Sequence, residues 1–383
     1  MKIQSFAYKN TFQGWGFDKI DFFDLTLLVG VSGVGKTQIL QALRDLKQIA
    51  SGHAINGAEW DIFLTTKKGD KYRWQGQFEK ITEKDNINEL LIGITGKEQV
   101  VKPKMKSENI YINDDKQAIL VQKNKQIVFN KLLMPKLSLE ESCVHLFREE
   151  ELIHPLWAGF MKIIYQDHTR IDRSIRLQSL LSQKDYKNLQ NVRESTLDIM
   201  SKLELVYEFF PTTFEQIKNN FIDIFPQIED VKLEILKITT HKSSEMRITM
   251  FSFKEKNVTQ RIPAHRMSSG MFRTFLHIAE IFLCSDNTII LIDDFENSLG
   301  VNCIDVLTED LVFENKRIQF IVTSHHPYII NKIPYEYWKI VTRRGGKIVT
   351  YDAKTFDLGD SRQERFMNLI NLPQYRQGLA DVG

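Results

Sequence analysis

Three kinds of hydrophobic pattern follow one another along the chain. Residues 2 to 29 hold short alternating pieces, KIQSFAYKN and FDKIDF, and then the continuous apolar run Leu25-Thr26-Leu27-Leu28-Val29. Strict alternation predicts a strand with one buried face, and a short continuous run predicts a strand buried on both. After a glycine-rich break, Ile39, Leu43 and Leu46 recur at helical spacing. EWDIFLTTKKGDKYRWQGQFEKI then predicts a hairpin, two alternating runs about Lys68-Gly69-Asp70. The polar stretch VVKPKMKSENIYINDDKQ is expected to be the least structured part of this region. Its Lys102, Lys104 and Lys106 either touch a phosphate backbone or, as charge runs ordinarily do, solvate a loop.

From about Leu137 to Phe225 the pattern turns helical, with one β-like interruption at MKIIYQDHTR. The piece KLELVYEFFPTTFEQIKNNFIDIFPQI carries aromatic and aliphatic residues at helical intervals, broken at Pro211. Such a stripe is expected to pack as core, and it lacks the sustained heptads of a coiled-coil arm. Beyond 230, alternation returns in VKLEILKITTHKSSEMRITMFSF, followed by helix, buried strand, helix and buried strand. The order predicts an α/β protein: a mixed, largely parallel sheet with helices, an antiparallel β lobe and a short helical insertion. The expected divisions are 1–136, a helix-rich insertion at 137–229, and 230–383.

Composition narrows the function only slightly. The 383 residues carry a net charge of +2 with 26% charged, which gives no global polyanion-binding signature and leaves any nucleic-acid contact to a local patch. Cys143, Cys284 and Cys303 are odd in number and scattered, which fits reduced thiols in the cytoplasm rather than a disulfide framework or zinc site. No apolar run approaches the ~18 residues of a membrane span, and MKIQSFAYKN lacks the core of a signal peptide.

The chemistry concentrates in four blocks. GVSGVGKTQ spans Gly30, Val31, Ser32, Gly33, Val34, Gly35, Lys36, Thr37 and Gln38. Its glycines let successive N–H groups face one anion, Lys36 supplies charge to the β- and γ-phosphates, and the Thr37 hydroxyl is a Mg²⁺ ligand. A buried strand before it and a helix after it are the setting a phosphate loop requires. In TIILIDDFENSLG an apolar strand ends in Asp293-Asp294. Asp293 is the candidate Mg²⁺ ligand and Asp294 the candidate for polarising an attacking water, with Glu296 a nearby carboxylate. AHRMSSGMFRTFLHIAEIFL places Ser268, Ser269 and Gly270 at the start of an amphipathic helix. That is an N-cap by default and, in another setting, a grip for a γ-phosphate. IQFIVTSHHPYII is a further buried strand, ending at His325, a candidate γ-phosphate sensor beside His326. His241 in TTHK reads as a turn residue.

Together these blocks resemble the ABC-like ATPase heads of the RecF, SMC and OLD families. Gly30 to Thr37 match Walker A, Met267 to Met271 (MSSGM) the signature, Ile289 to Asp294 Walker B, and His325 the switch histidine. LIDDFENSLG looks like the corresponding string of RecF- and OLD-related proteins. The resemblance implies ATP and Mg²⁺ as cofactors and a dimer that encloses two ATP molecules. Ser269 and Gly270 would then act in trans on the nucleotide held by Lys36 of the second copy, with Asn297-Ser298-Leu299 at the seam. It implies a Mg²⁺-reaching glutamine, for which Gln166 is the candidate and a plain core-strand position the alternative. Two departures stand out: Asp294 replaces the family's usual glutamate, and Gly300 stands where a histidine is common.

OLD proteins append a nuclease, but the stretch after His325 reads as a hairpin, WKIVTRRGGKIVTYDA, and a terminal helix without spaced carboxylates. Arg343, Arg344 and Lys347 in it form either a local DNA patch or a hairpin turn. Three functions are open. The first, implied by the resemblance of stand-alone ATPases of this build to the ATPase subunits of phage-defence systems, is a subunit that regulates a separate nuclease or toxin. The second is a RecF-type repair ATPase acting directly on DNA, and the third an ATP-binding scaffold with little hydrolysis.

Overall fold

The computed structural model describes residues 1–82, 102–113, 115, 117–166, 176–178, 186–239, 245–296 and 318–378. Asn297, Ser298, Leu299, Gly300, His241 and Cys303 lie outside them. The chain forms two compact units, each discontinuous in sequence. One comprises Met1–Gln166, Asn287–Asp294 and Lys316–Gly383; the other comprises Asp167–Asp286 and Phe295–Asn315.

The first unit is organised by one 14-stranded sheet. Its parallel part brings together β3 (Leu25–Val29), β10 (Ile163–Gln166), β15 (Ile289–Ile292), β16 (Gln319–Ser324) and β17 (Trp338–Arg344) in the order β10-β15-β16-β3-β17. All residues of β3, β15 and β16 are buried, as expected for central strands of a sheet covered on both faces. β18 (Lys347–Asp352) returns antiparallel to β17 through Gly345-Gly346 and leads into the antiparallel lobe. There β2 (Trp15–Asp21), β1 (Lys2–Asn10), β4 (Ala58–Thr65), β5 (Lys71–Phe78), β6 (Met105–Ile112), β7 (Leu120–Lys123), β8 (Gln126–Phe129) and β9 (Leu132–Leu133) follow in that order. Asn124-Lys125 and Asn130-Lys131, all at positive φ, make the two-residue turns before β8 and β9, matching the twist of the flanking strands.

Helix α1 (Lys36–Ala50) buries Ile39, Leu43 and Leu46, as its spacing predicts, together with Leu40 and Ile49. Its Asp45 accepts a 2.7 Å hydrogen bond from the Tyr8 hydroxyl of β1, and burial pushes that carboxyl above its usual range. In the lobe, Trp74 is fully buried, edge-on to Trp60 at 5.1 Å and to Phe160 at 5.0 Å.

One expectation fails here. Residues 105 to 112 are not loop but β6, paired with β5 on one side and β7 on the other. Met105, Glu108 and Ile110 are buried while Lys106 points to solvent. The buried Glu108 hides the alternation. It is tolerated because Trp74 Nε1 and Ser142 Oγ donate to one carboxylate oxygen and the Cys143 amide to the other. Lys102 and Lys104 stay on exposed irregular chain.

The second unit pairs a long hairpin, β12 (Ile228–Thr239) with β13 (Glu245–Glu255), and both β11 (Arg176–Gln178) and β14 (Ile262–Pro263) pair with β13. The helices Ile199–Phe209, Pro211–Ile224 and Ser269–Leu283 belong to it, with Pro211 at a first-turn position where its missing N–H costs nothing. The predicted aromatic stripe is core: Phe275 lies within 5.5 Å of Phe221, Phe251 and Phe253, ring to ring. Among the described residues no helix is long and apolar enough to cross a membrane.

Candidate functional site

The carboxyl ends of β15, β16 and β3 lie side by side, so their following residues share one edge of the parallel sheet. In open α/β sheets this edge is where ligands bind. The loop after β3 turns through Gly30 to Gly35 and enters α1 at Lys36. Gly35 has φ +105, and a Cβ there would lie 2.5 Å from Ile348 Cδ1; at Gly30 it would lie 2.6 Å from the Val341 carbonyl oxygen. The loop therefore keeps this path only with glycine at both places. The amides of Ser32, Gly33, Val34 and Gly35 donate to no acceptor among the described residues. Lys36 Nζ folds back over the loop onto the carbonyls of Gly30 (2.8 Å) and Val31 (3.1 Å). The result is a run of N–H donors beside a lysine ammonium at a helix N-terminus, an arrangement that suits an anion.

Asp293 faces this loop. Thr37 Oγ1, in the first turn of α1, donates to Asp293 Oδ1 at 3.2 Å, and Thr323 Oγ1 donates to the same oxygen at 2.6 Å. The Tyr165 hydroxyl lies 3.5 Å from the other oxygen, and Arg44 stacks over the Tyr165 ring at 5.3 Å. The hydroxyl of Thr37 and the carboxylate of Asp293 are hard oxygen donors already within contact of each other, a donor set that fits Mg²⁺ beside bound phosphates. Asp294 adopts φ +46, rare outside glycine, and its amide donates to Thr323 Oγ1 at 2.8 Å. His325 Nδ1 lies 3.6 Å from Asp294 Oδ1, and both side chains are about half exposed to solvent. Gln166 ends β10 and pairs with Ile292, buried, one residue before Asp293 on the neighbouring strand.

Loop, Asp293, Asp294 and His325 are thus brought to one edge within the first unit. Ser268, Ser269, Gly270 and Glu296 belong to the second. There Ser268 caps the helix Ser269–Leu283, its hydroxyl accepting from the Met271 amide at 3.3 Å. His326 is structural: it caps the helix Pro327–Lys332 through its Nδ1. Arg343 and Lys347 lie at the turn of the β17–β18 hairpin. Arg343 Nη1 donates to Gln38 Oε1 at 2.6 Å, and Lys347 pairs with Asp18 at 2.6 Å.

Two contributors were not singled out from sequence. Thr323 carried one signal, a polar residue at the end of an apolar strand. Tyr165 carried none, since its role depends on strand order.

This combination of a phosphate loop, an acidic strand one place removed and a histidine on the strand between them places the fold among ABC-type ATPase heads. The chain belongs to the AAA ATPase domain family, whose model matches residues 1–330. It is similar in fold to an SMC head bound to the C-winged helix domain of ScpA, with a TM-score of 0.51 at 13% identity over 93% of this chain and 99% of that one. An SMC head domain from Thermotoga maritima aligns at 13% identity with a TM-score of 0.44, covering 92% and 99% of the two chains. No curated protein matches the sequence significantly.

Proposed function

We propose that the chain binds ATP with Mg²⁺ in the Gly30–Thr37 loop, hydrolyses it slowly, and uses ATP-dependent pairing of two copies to hold or release a separate effector. The observation that carries this reading is the Thr37–Asp293 contact at 3.2 Å beside the open loop. Lys36 and the loop amides would hold the phosphates, and Thr37 and Asp293 would hold the metal, which shields developing charge on the phosphates. Asp294 is the group placed to orient a water, with His325 beside it. A carboxylate one methylene shorter than glutamate reaches less far, which favours slow turnover. Ser269 and Gly270 would complete the site of the second copy, and Gln166 is a further candidate for reaching the metal.

The described residues after His325 include the β17–β18 hairpin and the helices Arg362–Asn371 and Pro373–Gln377. The similar SMC head is seen with a domain of another protein bound to it, an arrangement that suits a regulator of a nuclease or toxin in antiphage defence.

The test is nucleotide-dependent assembly. Lys36→Ala is expected to abolish ATP binding, whereas Asp294→Asn binds ATP, fails to turn it over and accumulates as a dimer in light scattering. A wild type that stays monomeric with ATP and Mg²⁺, and an Asp294→Asn variant that does the same, contradict the reading. Steeply salt-dependent DNA binding by the isolated protein replaces the effector reading with direct action on DNA.

A further inference from the structure

We infer that Thr323 is a positioning residue that sets both acids of the β15 end through a single hydroxyl. The inference rests on the Mg²⁺-ATP reading above and adds a residue that the motif pattern does not assign. Thr323 is fully buried on β16, between the β15 strand that carries the acids and the β3 strand that carries the phosphate loop. Its side chain touches both acidic residues: Oγ1 lies 2.6 Å from Asp293 Oδ1 and 2.8 Å from the Asp294 amide nitrogen.

The directions of these two bonds are fixed by chemistry. A backbone N–H only donates, so the Thr323 oxygen accepts from Asp294. The single hydroxyl proton is then committed to the Asp293 carboxylate, giving a short charge-assisted bond. The β-branched side chain is stiff at χ1, and it sits inside a fully buried strand. Two consequences follow. Oδ1, the oxygen that Thr323 grips, is the one that Thr37 approaches from the phosphate loop, so the carboxylate is presented to the metal position in one orientation. The Asp294 backbone, held at φ +46 where non-glycine residues seldom sit, is tied down by the same oxygen, and this fixes the side chain that faces His325. Metal holding and water orientation are thereby pre-set by one buried group.

The experiment compares Thr323→Val, which keeps the shape and removes the hydroxyl, with Thr323→Ser, which keeps the hydroxyl. Binding of a fluorescent ATP analogue is measured in EDTA and across a Mg²⁺ titration, with thermal unfolding alongside. Thr323→Val is expected to bind the analogue like wild type in EDTA but to need about tenfold more Mg²⁺ for its effect, the scale of a lost hydrogen bond to a charged group. Thr323→Ser should stay within about threefold of wild type, and ATP turnover should fall in the valine variant alone. A Thr323→Val protein with a wild-type Mg²⁺ titration overturns the inference, as does a folded Thr323→Ser that behaves like Thr323→Val. If the valine variant does not fold, Thr323→Ala takes its place under the same criteria. A wild type whose nucleotide binding ignores Mg²⁺ removes the parent reading and this inference with it. A normal Mg²⁺ response in the valine variant removes the inference alone.

Discussion

Replacing Gly35 by alanine tests how tightly the phosphate loop is held in its observed path. Two costs are visible. At φ +105 and ψ +15 an alanine sits outside the region L-residues favour, a penalty of about 1–2 kcal/mol. Its Cβ would also lie 2.5 Å from Ile348 Cδ1 and 2.8 Å from Ile348 Cγ1. Ile348 is 1% exposed and part of the unit's hydrophobic core, so it cannot swing away. Overpacking of this kind costs about 1–3 kcal/mol. If the loop escapes the strain by leaving its path, nucleotide binding bears the sum, about 2–5 kcal/mol, or a loss of ~30-fold or more in affinity.

The assay is titration of a fluorescent ATP analogue into wild type, Gly35→Ala, Ile348→Val and the double variant. Removing the Ile348 terminal methyl takes away the nearer contact, at 2.5 Å, while the Cγ1 contact at 2.8 Å and the dihedral penalty remain. The double variant should therefore regain part of the affinity lost by Gly35→Ala, although Ile348→Val alone brings no gain. Wild-type affinity in Gly35→Ala refutes the reasoning. So does a double variant no better than the single, which would show that Ile348 is not what the added methyl meets.

Other outcomes follow from the packing and the buried charges. Burial raises the Asp45 carboxyl in the fold, partly offset by its bonds from Tyr8 and Gln41. Its protonated form is thus favoured on folding, and that contribution is complete below the ordinary carboxylate range and lost as pH rises through the raised value. Asp45→Asn should therefore gain in melting temperature over wild type as pH rises from the ordinary carboxylate range to the raised value and then hold that gain, and a difference that never grows across this range would show that Asp45 carries no such penalty. Glu108→Ala leaves Trp74 Nε1, Ser142 Oγ and the Cys143 amide without their buried acceptor. It should destabilise by ~3 kcal/mol or more in thermal or urea unfolding, and a change below 1 kcal/mol, marginal on the same scale, would mean the site is not dry. Phe275→Ala removes the ring that meets Phe221, Phe251 and Phe253. A loss of about 3–5 kcal/mol is expected, and a much smaller one would place this ring outside the core.

The parts of the fold that were legible in the sequence are those where one physical demand dominates. Leu25–Val29 and Ile289–Ile292 read as central strands because both faces need apolar residues, and Gly30–Thr37 read as a phosphate loop because its backbone demands glycine. β6 was missed because Glu108, buried and fully hydrogen-bonded, stands where alternation expects an apolar side chain. The site was legible as a set of separate strings but not as a network. Thr323 and Asp293 are 30 positions apart, and Arg343 and Gln38 305 apart. Their pairing follows from the order β15-β16-β3-β17, which no local pattern encodes. The left-handed backbone at Asp294 was equally hidden, since aspartate gives no glycine-like warning.

The central claim is that two copies share each ATP site, with Lys36 from one and Ser269 from the other. Its most direct test is ATP hydrolysis by an equimolar mixture of Lys36→Ala and Ser269→Arg, each inactive alone. In a mixed dimer one site combines both lesions and the other is intact. Random exchange should then restore about a quarter of wild-type activity if the sites act independently. Activity restored on mixing is the predicted result. A mixture as inactive as its components, under conditions where the copies exchange and wild type turns over, contradicts an independently active shared site.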